Sequence, residues 1–134
     1  MHANERRSES ELTEMVIGSA FEVANALGAG FLEKVYERVL IHELTLRGIS
    51  ANSQVGFPVC YKGQNLGMYV ADLVVADELI VELKCVERFT NEHFAQCINY
   101  LKASGLKLAL LLNFRRSKVE WKRLVLNLRE TVAP

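Results

Sequence analysis

The chain has 134 residues, half of them hydrophobic, with 16 Lys plus Arg against 16 Asp plus Glu. That is one domain's worth of chain, able to bury roughly two-thirds of its unfolded surface, and its balanced charge excludes a global pull toward nucleic acid or membrane, so any phosphate binding must be local. Three cysteines without CxxC spacing, Cys60, Cys85 and Cys97, exclude a full disulfide frame and point to reduced thiols in a cytoplasmic protein rather than a zinc site.

No apolar run approaches about 18 residues, and the opening MHANERRSESE has no signal-peptide core, so no membrane partner is expected. Met1 to Arg7 are polar and expected to be disordered. Ser8 followed by Glu11, or Ser10 itself, caps a predicted helix to about Leu27, with Leu12, Met15, Val16, Ala20, Val23 and Leu27 near helical spacing. Gly28 and Gly30 break it. A second helix, Phe31 to about Arg47, ends at Gly48. In it Glu33, Tyr36, Leu40 and Leu44 follow one stripe, which places Glu33 at the end of a mostly apolar face, with Glu37 beside it.

From Gln54 the period changes to two. Val55 to Tyr61 reads as a strand with an edge or kink at Pro58, Lys62 to Asn65 as a turn, and Leu66 to Val75 as the next strand. Leu79 to Cys85 forms a third. Thr90 or Asn91 starts a helix to about Ser104, closed by Gly105. Leu108 to Leu112 is an apolar run expected of a strand buried on both faces, and Val119 to Leu126 is a last strand after the basic turn Arg115-Arg116-Ser117. The tail from Asn127 is expected to be a short helix or disordered. The helical connection between the Leu79 and Leu108 strands has the length of a right-handed crossover, which makes them parallel neighbours. The expected fold is α/β, a mixed sheet with helices on both sides.

The most informative stretch is VADLVVADELIVELKCV, Val70 to Val86. Placing Leu73, Val75, Leu79, Val81 and Leu83 on one face of a hairpin puts Asp72, Glu82 and Lys84 together on the other. A three-residue loop, Ala76 to Glu78, pairs Val75 with Leu79 and sets Asp72 opposite Glu82, with Asp77 in a left-handed conformation. Like charges so opposed cost up to about 1 kcal/mol, and a bound cation would turn that repulsion into attraction. Carboxylates are hard ligands suited to Mg²⁺, which takes one or two of them plus waters and phosphate oxygens. A lysine two residues beyond one ligand can hold or help deprotonate a water at such a metal. The bland alternative is an outer strand face with an ordinary Glu/Lys pattern.

The following helix adds His93, Gln96, Cys97 and Tyr100 on one face and Phe94, Ile98 and Leu101 on another. One face is expected to pack on the sheet and the other to border a cleft, from which Gln96 and Tyr100 reach substrate phosphate or orient the metal shell. His93, alone near a helix start, reads first as structural.

Asp72, then Glu82-Leu83-Lys84 on the next strand, then Gln96 and Tyr100 as QxxxY on the following helix, in this order of elements, resemble the PD-(D/E)XK nuclease superfamily in its RecB-like exonuclease branch. More closely, Gly30-Phe31-Leu32-Glu33-Lys34-Val35-Tyr36 looks like the signature of the GxxExxY family. The similarity continues through Gln54, Tyr61 to Gly63, Tyr69 to Asp72, Val81 to Lys84, Gln96 to Leu101 and Leu110 to Phe114, covering roughly Glu11 to Leu126. Each motif alone is weak, and their joint order and spacing is a strong signal. The resemblance implies a restriction-endonuclease-like αβββαβ core and Mg²⁺-dependent cleavage of nucleic acid, with Mn²⁺ as substitute. Carried over, Asp72, Glu82, the Leu83 carbonyl and Glu33 ligate metal, Lys84 positions the attacking water, and Gln96 and Tyr100 support substrate or metal. Two positions depart from the pattern. Ala71 stands where the superfamily name has proline, and Arg115 follows Asn113-Phe114 where the GxxExxY pattern leads to glycine.

Three functions compete. The first is a metal-dependent nuclease acting on DNA, with RNA as the second candidate substrate, and with Arg115, Arg116, Lys118, Lys122 and Arg123 contacting phosphates, unless these form only a solvated edge. The second is a non-catalytic module on the same fold that binds nucleic acid or protein, since function lives in the site and not in the scaffold. The third is a component of a repair or defence complex, targeted by self-association or by a protein partner.

Overall fold

The computed structural model describes residues 8–126. The expectations for Met1 to Arg7 and for the tail from Asn127 lie outside them. Helix α1, Glu9–Leu27, begins where Ser8 Oγ accepts the Glu11 N–H at 3.1 Å, and α2, Glu33–Leu46, follows a loop turned by Gly28 and Gly30 at positive φ. Helix α2 starts two residues later than the periodicity indicated, because Leu32 is still extended and supplies the cap carbonyl. Then come β1 (Ala51–Tyr61), β2 (Gln64–Val75), β3 (Leu79–Lys84), α3 (Asn91–Ser104), β4 (Leu108–Asn113) and β5 (Glu120–Val125).

The strands form one sheet in sequence order, antiparallel except for β3 and β4, which are parallel across the α3 crossover. On one face α1 and α2 pack Leu12, Val16, Leu40 and Leu44 against Leu73, Val75, Leu79, Val81 and Leu83. This is the apolar face expected of the hairpin. On the other face Cys97, Tyr100 and Leu101 of α3 pack on Ala71, Val74, Ile80, Ala109 and Leu111. Burying each such aliphatic side chain contributes roughly 1.5–3 kcal/mol of transfer free energy, so the two layers clamp β3 and β4 from both sides. The result is α/β, a mixed five-stranded sheet flanked by helices, as expected for a restriction-endonuclease-like core. Among the described residues no helix is long and apolar enough to cross a membrane.

Two irregularities position the site. The hairpin between β2 and β3 turns through Ala76 and Asp77, both at positive φ, and the Glu78 N–H donates to the Val75 carbonyl. Asp77 takes the left-handed conformation required of it, and Ala76 takes it too. The second irregularity lies at Gln54 and Asp72, which occupy opposed positions in the β1–β2 register but form no ladder pair, with Gln54 at φ 51°. On one side of them Ala51, Leu73 and Val75 face α1 and α2, whereas on the other Val55, Phe57, Tyr69 and Ala71 face α3. All seven numbers are odd, so the alternation of faces reverses at Gln54 and Asp72. Period-two reading of β2 carries no sign of this reversal.

Candidate active site

Strand β2 pairs with β3 only at Leu73, Val74 and Val75. At the next step of the same register Asp72 faces Glu82, and there the side chains replace the backbone ladder. The Asp72 N–H donates to Glu82 Oε1 at 2.9 Å, and the Leu83 N–H donates to Asp72 Oδ2 at 2.9 Å. Each carboxylate therefore fills the gap its own strand leaves open. Glu82 is only 3% exposed. Its burial, followed by the neighbouring Asp72 charge, pushes its carboxyl up to about 8, and the two groups are close enough for a protonated Glu82 to donate to Asp72.

Lys84, two residues on along β3, donates from Nζ to Gln96 Oε1 of α3 at 3.1 Å. This contact holds its ammonium on the α3 side of the sheet. Cys97 and Tyr100 are buried on the same side. Their thiol and hydroxyl are pushed up to about 12, first by burial and then by the Glu82 charge, which puts both in the field of the carboxylate pair. Tyr100 packs edge-on to Tyr69 with ring centroids 5.2 Å apart. The two side-chain sets expected on opposite faces of α3 therefore merge. Cys97, Tyr100 and Leu101 form the buried centre, and Gln96 remains at the exposed margin. His93 closes a capping box with Thr90, its Nδ1 accepting the Thr90 N–H at 3.0 Å, so its structural reading holds.

Glu33 stands at the N-terminus of α2, where its Oε2 accepts the Cys85 N–H at 3.3 Å. The structure thus brings it against the residue after Lys84. Among the described residues no group of three His, Cys, Asp or Glu side chains is arranged to hold a metal ion. Arg115 and Arg116 both pair with Glu87, at 2.8 and 3.4 Å, on an exposed rim beyond β3 and β4.

Two buried polar residues act behind the site and were not among the expected site residues. Glu37, 5% exposed, accepts Gln54 Nε2 at 2.9 Å and so anchors the reversal opposite Asp72. Its only sequence signal was its place next to the apolar stripe of α2. Asn113, opposite Lys84 in the register, bonds both the N–H and the carbonyl of Val86 and fastens the segment leaving β3. Its signals are an amide closing the apolar run LALLLN and its place in the Leu110 to Phe114 segment of the resemblance.

The donors fit a hard divalent cation. The pair is oxygen-only, burial and the Asp72 charge oppose ionisation of Glu82 in a way that a bound cation would offset, and Mg²⁺ asks for no more than one or two carboxylates from a protein. The sheet order, the carboxylate pair at the open end of β2 and β3, and the lysine after it follow one another as in the resemblance drawn from the motifs. No curated protein and no solved structure matches the chain. A family model of the PD-(D/E)XK nuclease superfamily matches residues 10–124, from the first turn of α1 into β5. That span holds every site residue described above, and the chain belongs to the PD-(D/E)XK nuclease superfamily.

Proposed function

We propose that this protein is a Mg²⁺-dependent nuclease that hydrolyses phosphodiester bonds of DNA, built as a single domain and belonging to the GxxExxY family within the RecB-like branch. The observation that carries this reading is the pair Asp72 and Glu82 at the point where β2 parts from β3, with Lys84 on the same strand held by Gln96. Asp72, Glu82 and the Leu83 carbonyl would hold the cation, with waters and a phosphate oxygen filling the remaining positions. When bound, a divalent cation supplies Lewis acidity toward the phosphodiester and lowers the pKa of water.

The chain's own groups do the rest. Lys84, with donors left after its bond to Gln96, orients the attacking water by hydrogen bonding and opposes the negative charge that grows on the phosphate oxygens. Gln96 borders the site from α3 with Tyr100 buried behind it, and Glu33 bounds it from α2. Arg115 and Arg116 attract the strand's phosphates beyond the scissile position.

Incubating purified protein with single- and double-stranded DNA and RNA, with Mg²⁺ or Mn²⁺, tests the reading. Cleavage is expected on DNA, and Asp72→Asn and Lys84→Ala should each reduce it by at least about 100-fold. Activity that survives both substitutions overturns the assigned residues. Gel shifts of nucleic acid without Mn²⁺ binding by calorimetry would instead favour the non-catalytic binding module.

A further inference from the structure

The loop between α1 and α2 exposes two consecutive large apolar residues, Phe31 at 49% and Leu32 at 77%. Such exposure on a frayed loop would mean little. Here the loop is fastened: the Tyr36 hydroxyl donates to the Gly28 carbonyl at 2.6 Å and accepts the Phe31 N–H at 3.3 Å, while the Tyr36 ring stacks on buried Phe114 with centroids 4.7 Å apart. Phe31 meets the edge of the same tyrosine at 6.1 Å. Its backbone is tied down while half of its side chain is left to solvent.

Beside Phe31 lies an open hollow of about 330 Å³, lined by Ala29, Gly30, Phe31, Cys85, Phe114 and Arg115. Cys85 directly follows Lys84 in the chain, and its N–H is the group that holds Glu33. The hollow therefore lies past the end of β3, one residue beyond Lys84 and on the α1–α2 side of the sheet. Arg115 is held at its mouth by Glu87 through Nη2, which leaves other guanidinium donors for a phosphate. One exposed aromatic face, a small apolar floor and an arginine at the rim are what a nucleobase with its phosphate requires. Stacking on an aromatic ring is open to every base because every base has a π-face.

We infer that this hollow is a subsite for an unpaired nucleobase of the bound strand, stacked on Phe31, with the adjoining phosphate at Arg115. The inference rests on the nuclease reading and narrows its substrate class to single strands, overhangs or frayed ends, because a base inside a duplex is stacked on its neighbours and cannot enter. Phe31 is a specificity residue in this scheme and takes no part in the chemistry.

The test measures binding separately from cutting, with Mg²⁺ and in a Lys84→Ala background so that strands stay intact. Fluorescence anisotropy compares labelled single-stranded, overhanging and blunt duplex oligonucleotides for Phe31, Phe31→Ala and Phe31→Tyr, and 2-aminopurine in the strand reports stacking. Tighter binding of single strands and overhangs than of blunt duplex is expected, with about a tenfold loss and no 2-aminopurine quenching for Phe31→Ala and retention of both by Phe31→Tyr. Equal binding by all three proteins overturns the subsite while leaving the nuclease reading intact. A Phe31→Ala protein with unchanged strand affinity but a lower sedimentation mass also overturns it and identifies the patch as a contact between copies. If single-turnover cleavage by the Lys84 protein is also absent and no oligonucleotide binds, the nuclease reading fails together with the subsite.

Discussion

Glu82 carries the clearest electrostatic consequence at the level of single residues. In metal-free protein its carboxyl is pushed up to about 8 by burial and then by Asp72, against an ordinary value of 4.5. A folded-state pKa above the unfolded one means that the native protein binds the proton more tightly. Stability from this group is therefore fully present below pH 4.5 and is lost as pH rises toward 8. At about 1.4 kcal/mol per unit the loss across that window is on the order of 5 kcal/mol. Urea unfolding in EDTA should show it, and Glu82→Gln should remove most of the slope; an unchanged slope in that variant would assign the effect elsewhere. The thiols provide a second check. Cys60 is exposed, whereas Cys97 is buried with its thiol pushed up to about 12, so a thiol reagent should modify Cys60 quickly and reach Cys97 only on unfolding.

At the scale of elements, the reversal of faces in the β1–β2 hairpin sets the direction of Asp72. Gln54 adopts a positive φ that costs on the order of 1 kcal/mol for a residue with a side chain, and Glu37 holds it there. Glu37→Ala should therefore destabilise the protein by about 1–3 kcal/mol in chemical denaturation. Gln54→Gly should cost less than Gln54→Val, because glycine adopts that φ freely and a β-branched residue does so worst. Comparable losses for the two would remove the strain argument. In α2, Tyr36→Phe keeps the stack on Phe114 but loses both hydroxyl bonds to the preceding loop, at about 1–2 kcal/mol in the same assay.

For the whole molecule, 16 positive and 16 negative residues cancel, so strand binding must draw on a local set. If Arg115, Arg116, Lys118, Lys122 and Arg123 supply the phosphate contacts, the slope of log K against log salt on duplex DNA should be no steeper than about −4 to −5. Replacing Arg115 with Ala should make the slope shallower by about one. A much steeper slope would mean that phosphate contacts beyond these five residues contribute.

The order of elements, the parallel crossover and the collection of Asp72, Glu82 and Lys84 were all readable from residue patterns. Hydrophobic periodicity, capping residues and turn glycines act over a few residues and leave local signatures. The apolar face of the β2–β3 hairpin and the caps at Ser8, Thr90 and Gly105 are where they were expected for that reason. Tertiary structure alone decided that Glu33 meets Cys85, that Glu37 reaches Gln54, and that the strand faces reverse at Asp72. Those outcomes depend on where α2 comes to rest against a twisted sheet. Long-range packing sets that placement, and no local spacing encodes it.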